Sequence, residues 1–234
     1  MNEDSGTAYD STANGLDGIP SKGTNELADI SQMVAYENGA CGRARVNGTI
    51  NGSGGNFMVV PSASVFCFSG CFVASGWFRG NSKGEEDDPR LITKKNSNVI
   101  NPWSGPSGFD INYENSFDNL LIRGSGDVGF NVSVPSALDN WVFLVSVFNN
   151  ANISVYANGV LVCNEEIEPV VDNDEYISFG GRDAPFWSLN GQYDEIRLCG
   201  GSLSADRVKA DYDMIVNRNF LRYGPVANGK GIAE

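Results

Sequence analysis

Asn152-Ile153-Ser154-Val155-Tyr156-Ala157-Asn158-Gly159-Val160-Leu161-Val162 is the stretch that decides the architecture. Ile153, Val155 and Ala157 recur at every second position, the period of a strand with one buried face. Asn158-Gly159 then interrupts the run. A two-residue hairpin turn needs positive φ at both positions, which asparagine tolerates and glycine adopts freely. Apolar residues resume at Val160, so the segment reads as a β-hairpin.

Outward from this hairpin the same grammar continues. Short apolar or alternating runs closed by turn residues fall at 57–60, 72–79, 91–95, 109–113, 120–123 and 128–134, then at 141–148, 176–179 and 193–198. Within residues 1–56 only 33–36 and 44–50 read as short strands, and the rest is loop. A succession of about a dozen strands with no helix between them implies two antiparallel sheets packed face to face. The fold class is therefore all-β, a two-sheet antiparallel β-sandwich of the jelly-roll type with a short C-terminal helix. That helix is expected at 204–217. Ser204 can cap it, Asp206 lies in its first turn, and Val208, Tyr212 and Ile215 recur at helical spacing. Residues 1–217 form the domain and 218–234, with Pro225, a tail or linker.

The chain has 234 residues, enough for one large sandwich, and Lys+Arg 16 against Asp+Glu 29 gives a formal charge of −13. A polyanion would be repelled at long range, so nucleic acid is not an expected partner. No run approaches the ~20 apolar residues of a membrane span. Residues 1–20 lack the basic and then apolar character of a signal peptide. An export signal would then lie upstream, as for a module of a longer chain with neighbouring domains.

Catalytic chemistry is thinly represented. The absence of histidine removes the ordinary Ser-His-Asp and Cys-His arrangements. Gly52-Ser53-Gly54-Gly55 has neither the Lys-Ser/Thr nor the helix of a phosphate loop. Two-carboxylate glycoside hydrolysis needs acidic residues that point to one side of a strand. The acidic clusters lie at 85–88, 172–175 and Asp194-Glu195, where neighbours on a strand face opposite ways. No enzyme is expected, and a glycoside hydrolase is the least favoured reading. The five cysteines, Cys41, Cys67, Cys71, Cys163 and Cys199, lack the paired spacing of a zinc knuckle. Two disulfides with one free thiol, as in an oxidising compartment, and five buried reduced thiols both stay open.

Sugar recognition needs an aromatic plate with amide or carboxylate groups beside it. Trp77 and Trp141 lie inside strand patterns and are expected to pack. Trp103, in Asn101-Pro102-Trp103-Ser104-Gly105-Pro106, is a loop aromatic with Asn101 and, further on, Asn112 as amide partners. Trp187 is a second loop aromatic.

The ordered signals resemble the laminin-G-like, concanavalin A-like jelly rolls. Gly191-Gln192-Tyr193-Asp194-Glu195-Ile196-Arg197-Leu198, followed by Leu203-Ser204 and a helix, resembles that family's C-terminal signature. Val73-Ala74-Ser75-Gly76-Trp77-Phe78-Arg79 and the run from Trp141 resemble its tryptophan-bearing strands. Asp10-Ser11-Thr12-Ala13-Asn14-Gly15 resembles its opening stretch, with Thr-Ala where Ser-Gly is usual. The resemblance implies a structural Ca²⁺ held by Asp10, an oxygen near Asn14 or Gly15, and Asp194, with Glu3 in reserve. Read without an ion, Asp10 shapes an Asx-type turn and Asp194 accepts turn hydrogen bonds. It also implies a binding or adhesion module, extracellular or at the cell surface, with a glycan or surface protein as partner. A structural spacer or assembly domain that binds nothing small is the alternative.

Overall fold

The computed structural model describes residues 7–21, 35–41, 43–47, 57–66, 68, 70–81, 88–95, 107–126, 128–181, 187–217 and 220. Among them are fourteen strands in two antiparallel seven-stranded sheets, with one α-helix near the C-terminal end.

The first sheet contains β1 (Ile19–Ser21), β4 (Phe57–Val60), β6 (Arg90–Lys95), β7 (Gly108–Glu114), β8 (Ser116–Arg123), β9 (Gly129–Ser133) and β13 (Ile177–Phe179). Across it they run β1-β4-β13-β6-β7-β8-β9. The second contains β2 (Ala35–Asn38), β3 (Arg43–Asn47), β5 (Cys71–Gly80), β10 (Val142–Asn149), β11 (Asn152–Ala157), β12 (Val160–Glu166) and β14 (Gly191–Gly200). Its order is β12-β11-β10-β5-β14-β3-β2. Neighbours distant in sequence make this the crossed connectivity of a jelly roll.

Alternation along the strands builds the core. Phe109, Ile111 and Tyr113 of β7, Leu120 and Ile122 of β8, Phe72, Ala74 and Phe78 of β5 and Ile153 and Val155 of β11 meet between the sheets. Phe72 stacks on Phe148 at 4.3 Å between ring centroids and lies 5.0 Å from Phe109. The quoted hairpin closes as expected: Ala157 faces Val160, and Asn158 and Gly159 have φ of 51° and 78°.

A second, smaller core makes the architecture three-layered. The alternate residues of β5 and β10, Val73, Trp77, Phe143, Val145 and Val147, face outward and are covered by α1 (Ala205–Val216) through Val208, Tyr212 and Ile215. Ser204 caps α1 by accepting the amide of Arg207 at 3.3 Å, and Asp206 lies in the first turn. Trp77 is 3% exposed and stacks on Phe143 at 5.1 Å and Tyr212 at 5.7 Å. Trp141 packs partly buried against the same cluster. Both tryptophans serve packing.

Several sequence expectations are adjusted. β1 was read as loop, and the 3₁₀ turn Ser64–Phe66 was not anticipated. β12 runs four residues beyond 160–162. The cysteines resolve neither alternative: Cys41, Cys71 and Cys199 are exposed and Cys163 half-buried, all four as free thiols. Cys67 lies outside the described residues, as does all of the 218–234 tail but Phe220.

Candidate functional site

The outer face of the first sheet carries a polar cluster. β7 sends Phe109, Ile111 and Tyr113 inward, so Asp110 and Asn112 project to the other side. Register then fixes their neighbours. Thr93 of β6 and Arg123 of β8 flank Asp110, and Ser178 of β13 lies beyond Thr93. Arg90 and Leu121 flank Asn112, with Asn131 of β9 beyond Leu121.

These groups form a hydrogen-bonded lattice. The Nη1 of Arg90 donates to Asp110 Oδ2 and, at 2.9 Å, to Asn112 Oδ1. Arg123 Nη1 donates to the same two oxygens at 3.3 and 3.4 Å. Asn112 is fixed further by donating its amide to the Tyr113 carbonyl at 3.0 Å. The Arg90 guanidinium lies 5.6 Å from the centroid of the Trp187 ring, a cation–π contact. Among the described residues, Asp110 Oδ1 and Ser178 Oγ are buried with no hydrogen-bond partner.

Exposure grades across the cluster. Arg90 and Asp110 are 2% exposed and Asn112 is fully buried. Arg123 and Trp187 are half-buried, and Asn131 and Ser133 are exposed. Of the less buried members, Arg123 is held by Asp110 and Asn112, and Trp187 lies against Arg90. Lys95, on the face of Thr93, donates to the Gly126 carbonyl, whereas Lys94, in register with the inward Phe109, lies on the other face, where it pairs with Asp172 at 2.6 Å and donates to the Asn173 carbonyl.

The structure thus brings Asn112 and Trp187 together through Arg90. Trp103 and Asn101 lie outside the described residues. Arg90, Asp110 and Arg123 were not singled out from the sequence, although Phe109-Asp110-Ile111-Asn112-Tyr113 has the alternation that places Asp110 and Asn112 on one face.

That alternation also puts Glu114 on the face of Asp110. Four residues of strand separate their backbones by about 13 Å at ~3.3 Å per residue. Paired glycosidase carboxylates stand about 5–9.5 Å apart. Asp110 Oδ2 is moreover committed to two guanidiniums. Asp110 and Glu114 are therefore not placed as a two-carboxylate pair.

Asp10 and Asp194 lie apart in the topology. Asp10 opens a turn leading to β1 of the first sheet, whereas Asp194 sits in β14 of the second. Asp10 accepts the amides of Thr12 at 2.8 Å and Leu16 at 3.0 Å and the Thr12 hydroxyl at 2.7 Å. These bonds, led by the Leu16 amide, lower its carboxyl pKa. Asn14 donates its side chain to the Thr12 hydroxyl at 3.0 Å. Asp194 is fully buried and accepts the amides of Cys41 and Glu195, each at 2.8 Å. Among the described residues, no group of three or more Cys, Asp or Glu side chains is placed to hold a metal ion. Both carboxylates accept hydrogen bonds from N–H donors in this structure.

The Asp194 contacts explain the late motif. β14 bulges between Asp194 and Arg197, with Glu195 at a φ of 50°, and this aims the Asp194 carboxylate at the β2–β3 turn. Burial raises its pKa against the opposing pull of the Cys41 amide. The folded chain therefore keeps this proton to a higher pH than the unfolded chain, and the proton's contribution to stability is lost as pH rises through the raised value. Asp194→Ala should cost about 1–3 kcal/mol by stranding two amides. Urea midpoints should show that deficit narrowing as pH climbs above the ordinary aspartate range.

A three-layer jelly roll with a polar cluster on the outer side of its first sheet defines a class that sequence comparison makes specific. The profile of the concanavalin A-like lectin/glucanases superfamily matches residues 51–209, and the chain belongs to that superfamily. No curated protein sequence matches it. Among solved structures, the binding domain of Paraclostridial Mosquitocidal Protein 1 is similar at a TM-score of 0.62 and 14% identity, over 89% of this chain and 50% of that one. Domain 4 of AbnA, a GH43 extracellular arabinanase from Geobacillus stearothermophilus in complex with arabinotriose, is similar at 0.59 and 19%, over 90% and 99%. A structure of botulinum neurotoxin type C, described as depending on two ganglioside molecules for cell entry, is similar at 0.57 and 13%, over 92% and 52%. The chain spans about half the length of the two toxin structures. At these identities the likeness is one of fold.

Proposed function

We propose that this chain is a non-catalytic carbohydrate-binding module of an extracellular or cell-surface protein, with its ligand face on the outer side of the first sheet. The observation that carries the reading is the lattice of Arg90, Asp110, Asn112 and Arg123 beneath the Trp187 ring. Charged groups buried on the solvent side of a sheet add little to stability. Held rigidly beside an aromatic ring, they are the supporting layer that a sugar site needs. Trp187 and Arg123, with the exposed amide of Asn131, are the groups that a sugar would meet first. The arabinotriose complex of AbnA domain 4 and the ganglioside dependence of the neurotoxin favour a glycan.

A structural calcium ion held by Asp10, an oxygen near Asn14 or Gly15, and Asp194 belongs to the same proposal. One experiment addresses both parts: a glycan array run with Ca²⁺ and again with EDTA, using wild type, Trp187→Ala and Arg123→Ala. The expected result is a glycan signal lost in both variants, with folds that still melt cooperatively. No signal for wild type on a broad array, or equal signals for all three proteins, would overturn the glycan reading. Identical binding and melting in EDTA, with no metal by elemental analysis, would remove the calcium.

A further inference from the structure

A lysine at an inward strand position is rare, because its ammonium has to leave water. Lys94 of β6 stands in register with Phe109 of the core and is 2% exposed. Its Nζ donates to Asp172 Oδ1 at 2.6 Å and to the Asn173 carbonyl. Phe68, whose ring lies 5.8 Å from that of Phe109, donates its backbone amide to the same Asp172 oxygen at 3.4 Å. An amine and a carboxyl group thus meet beside aromatic rings, with a backbone N–H aimed at the carboxyl oxygen.

The carboxyl group comes from the segment 167–176 between β12 and β13, and that segment is clamped. Val171 accepts the amide of Gly108 at 2.7 Å and donates its own amide to the Ser125 hydroxyl at 2.7 Å. Asn173 donates its side chain to the Lys94 carbonyl at 3.3 Å. Groups held together in this way react as though at an effective concentration of about 10⁵–10⁸ M when their geometry suits the reaction. As an ion pair alone, the buried charges add little to stability.

We infer that Lys94 and Asp172 condense to an isopeptide bond, a covalent tie from β6 to the segment 167–176. One proton passes from Nζ to the carboxylate, giving a neutral amine and a neutral acid. The Nζ lone pair attacks Asp172 Cγ, and the charge that develops on Oδ1 faces the Phe68 amide, as at an oxyanion hole. The Cγ–Oδ2 bond then breaks, and Oδ2 leaves as water with the acid's proton and one from nitrogen. Nothing is oxidised or reduced. The Asp172 side chain is 28% exposed, which gives the water a way out. The product keeps the contacts of the ion pair: its N–H can donate to the Asn173 carbonyl and its carbonyl can accept from Phe68. Two buried charges become one neutral amide.

Intact mass of the whole chain, measured under denaturing and reducing conditions, tests the bond. The expected mass is one water below that of the sequence. Tryptic digestion should yield residues 91–95 joined through Lys94 to the peptide that carries Asp172. Lys94→Arg, which keeps a cation but loses the amine, and Asp172→Ala should each show the full mass of their sequences. On a denaturing gel the wild type should run ahead of both, because the tie closes a loop between residues 78 apart. A wild-type mass equal to that of the sequence overturns the proposal. So does a water loss that persists in Lys94→Arg, or one that maps to a cyclic imide at Asp172 with Lys94 unmodified. If neither variant folds, the wild-type mass and its branched peptide still decide.

Discussion

Trp77→Ala should lower stability by about 3–5 kcal/mol, the range for truncating a buried aromatic side chain. For a chain of this size that is a fall in melting temperature of roughly 6–20 °C. The size of the effect comes from the position of Trp77 between two layers. Its ring is sandwiched with Phe143 of the adjacent strand and Tyr212 of α1. Removal leaves a hole under the helix and breaks both stacks. α1 is twelve residues long, near the lower limit for a helix that holds without tertiary support. Loss of its docking surface should therefore appear locally as well. Hydrogen exchange should show faster opening of the amides at 209–216 than of those in β7 and β8. Calorimetry gives the global figure. A melting temperature within ~2 °C of wild type would mean that the helix layer contributes little to the fold.

Local chemistry made much of the architecture readable. The hairpin at Asn158-Gly159 and the cap at Ser204 are decided by residues adjacent in sequence, and both occur where that chemistry places them. β1 was missed because Pro20 argues against a strand. It is tolerated because β1 is an edge, where a missing N–H breaks no ladder. β12 was read too short because Asn164, Glu165 and Glu166 carry no apolar signal, and at a sheet edge they need none.

The site was half legible for a different reason. Asn112 and Trp187 stood out by residue type, but what joins them is Arg90, nearly a hundred residues from Trp187 and itself brought to Asn112 by strand register. A cation–π contact and an ion pair between strands leave no local pattern to read. Asp10 and Asp194 were joined by resemblance alone: Asp10 accepts hydrogen bonds within its own turn, whereas Asp194 accepts the amide of Cys41 in the β2–β3 turn as well as that of the adjoining Glu195, a long-range contact that no local pattern announces.

Asp110→Ala should destabilise the chain by about 3–5 kcal/mol, the cost of removing one partner of a buried ion pair. It leaves Arg90, 2% exposed, facing Arg123 with no carboxylate between them. Replacing both Arg90 and Asp110, as in Arg90→Met with Asp110→Leu, removes the guanidinium along with its carboxylate partner. Arg123, whose side chain is 12% exposed, can then turn toward solvent. The double variant should regain most of the loss, because apolar groups of similar volume replace buried ion pairs at little or no cost. Denaturant unfolding of the wild type, both single variants and the double variant gives the coupling energy directly. The same four proteins on the glycan array separate stability from binding. If the lattice exists to support a ligand face, the double variant should be as stable as wild type and bind nothing. A double variant that is stable and still binds would move the site off this sheet. One as unstable as Asp110→Ala would make the lattice a packing element whose polarity the fold requires.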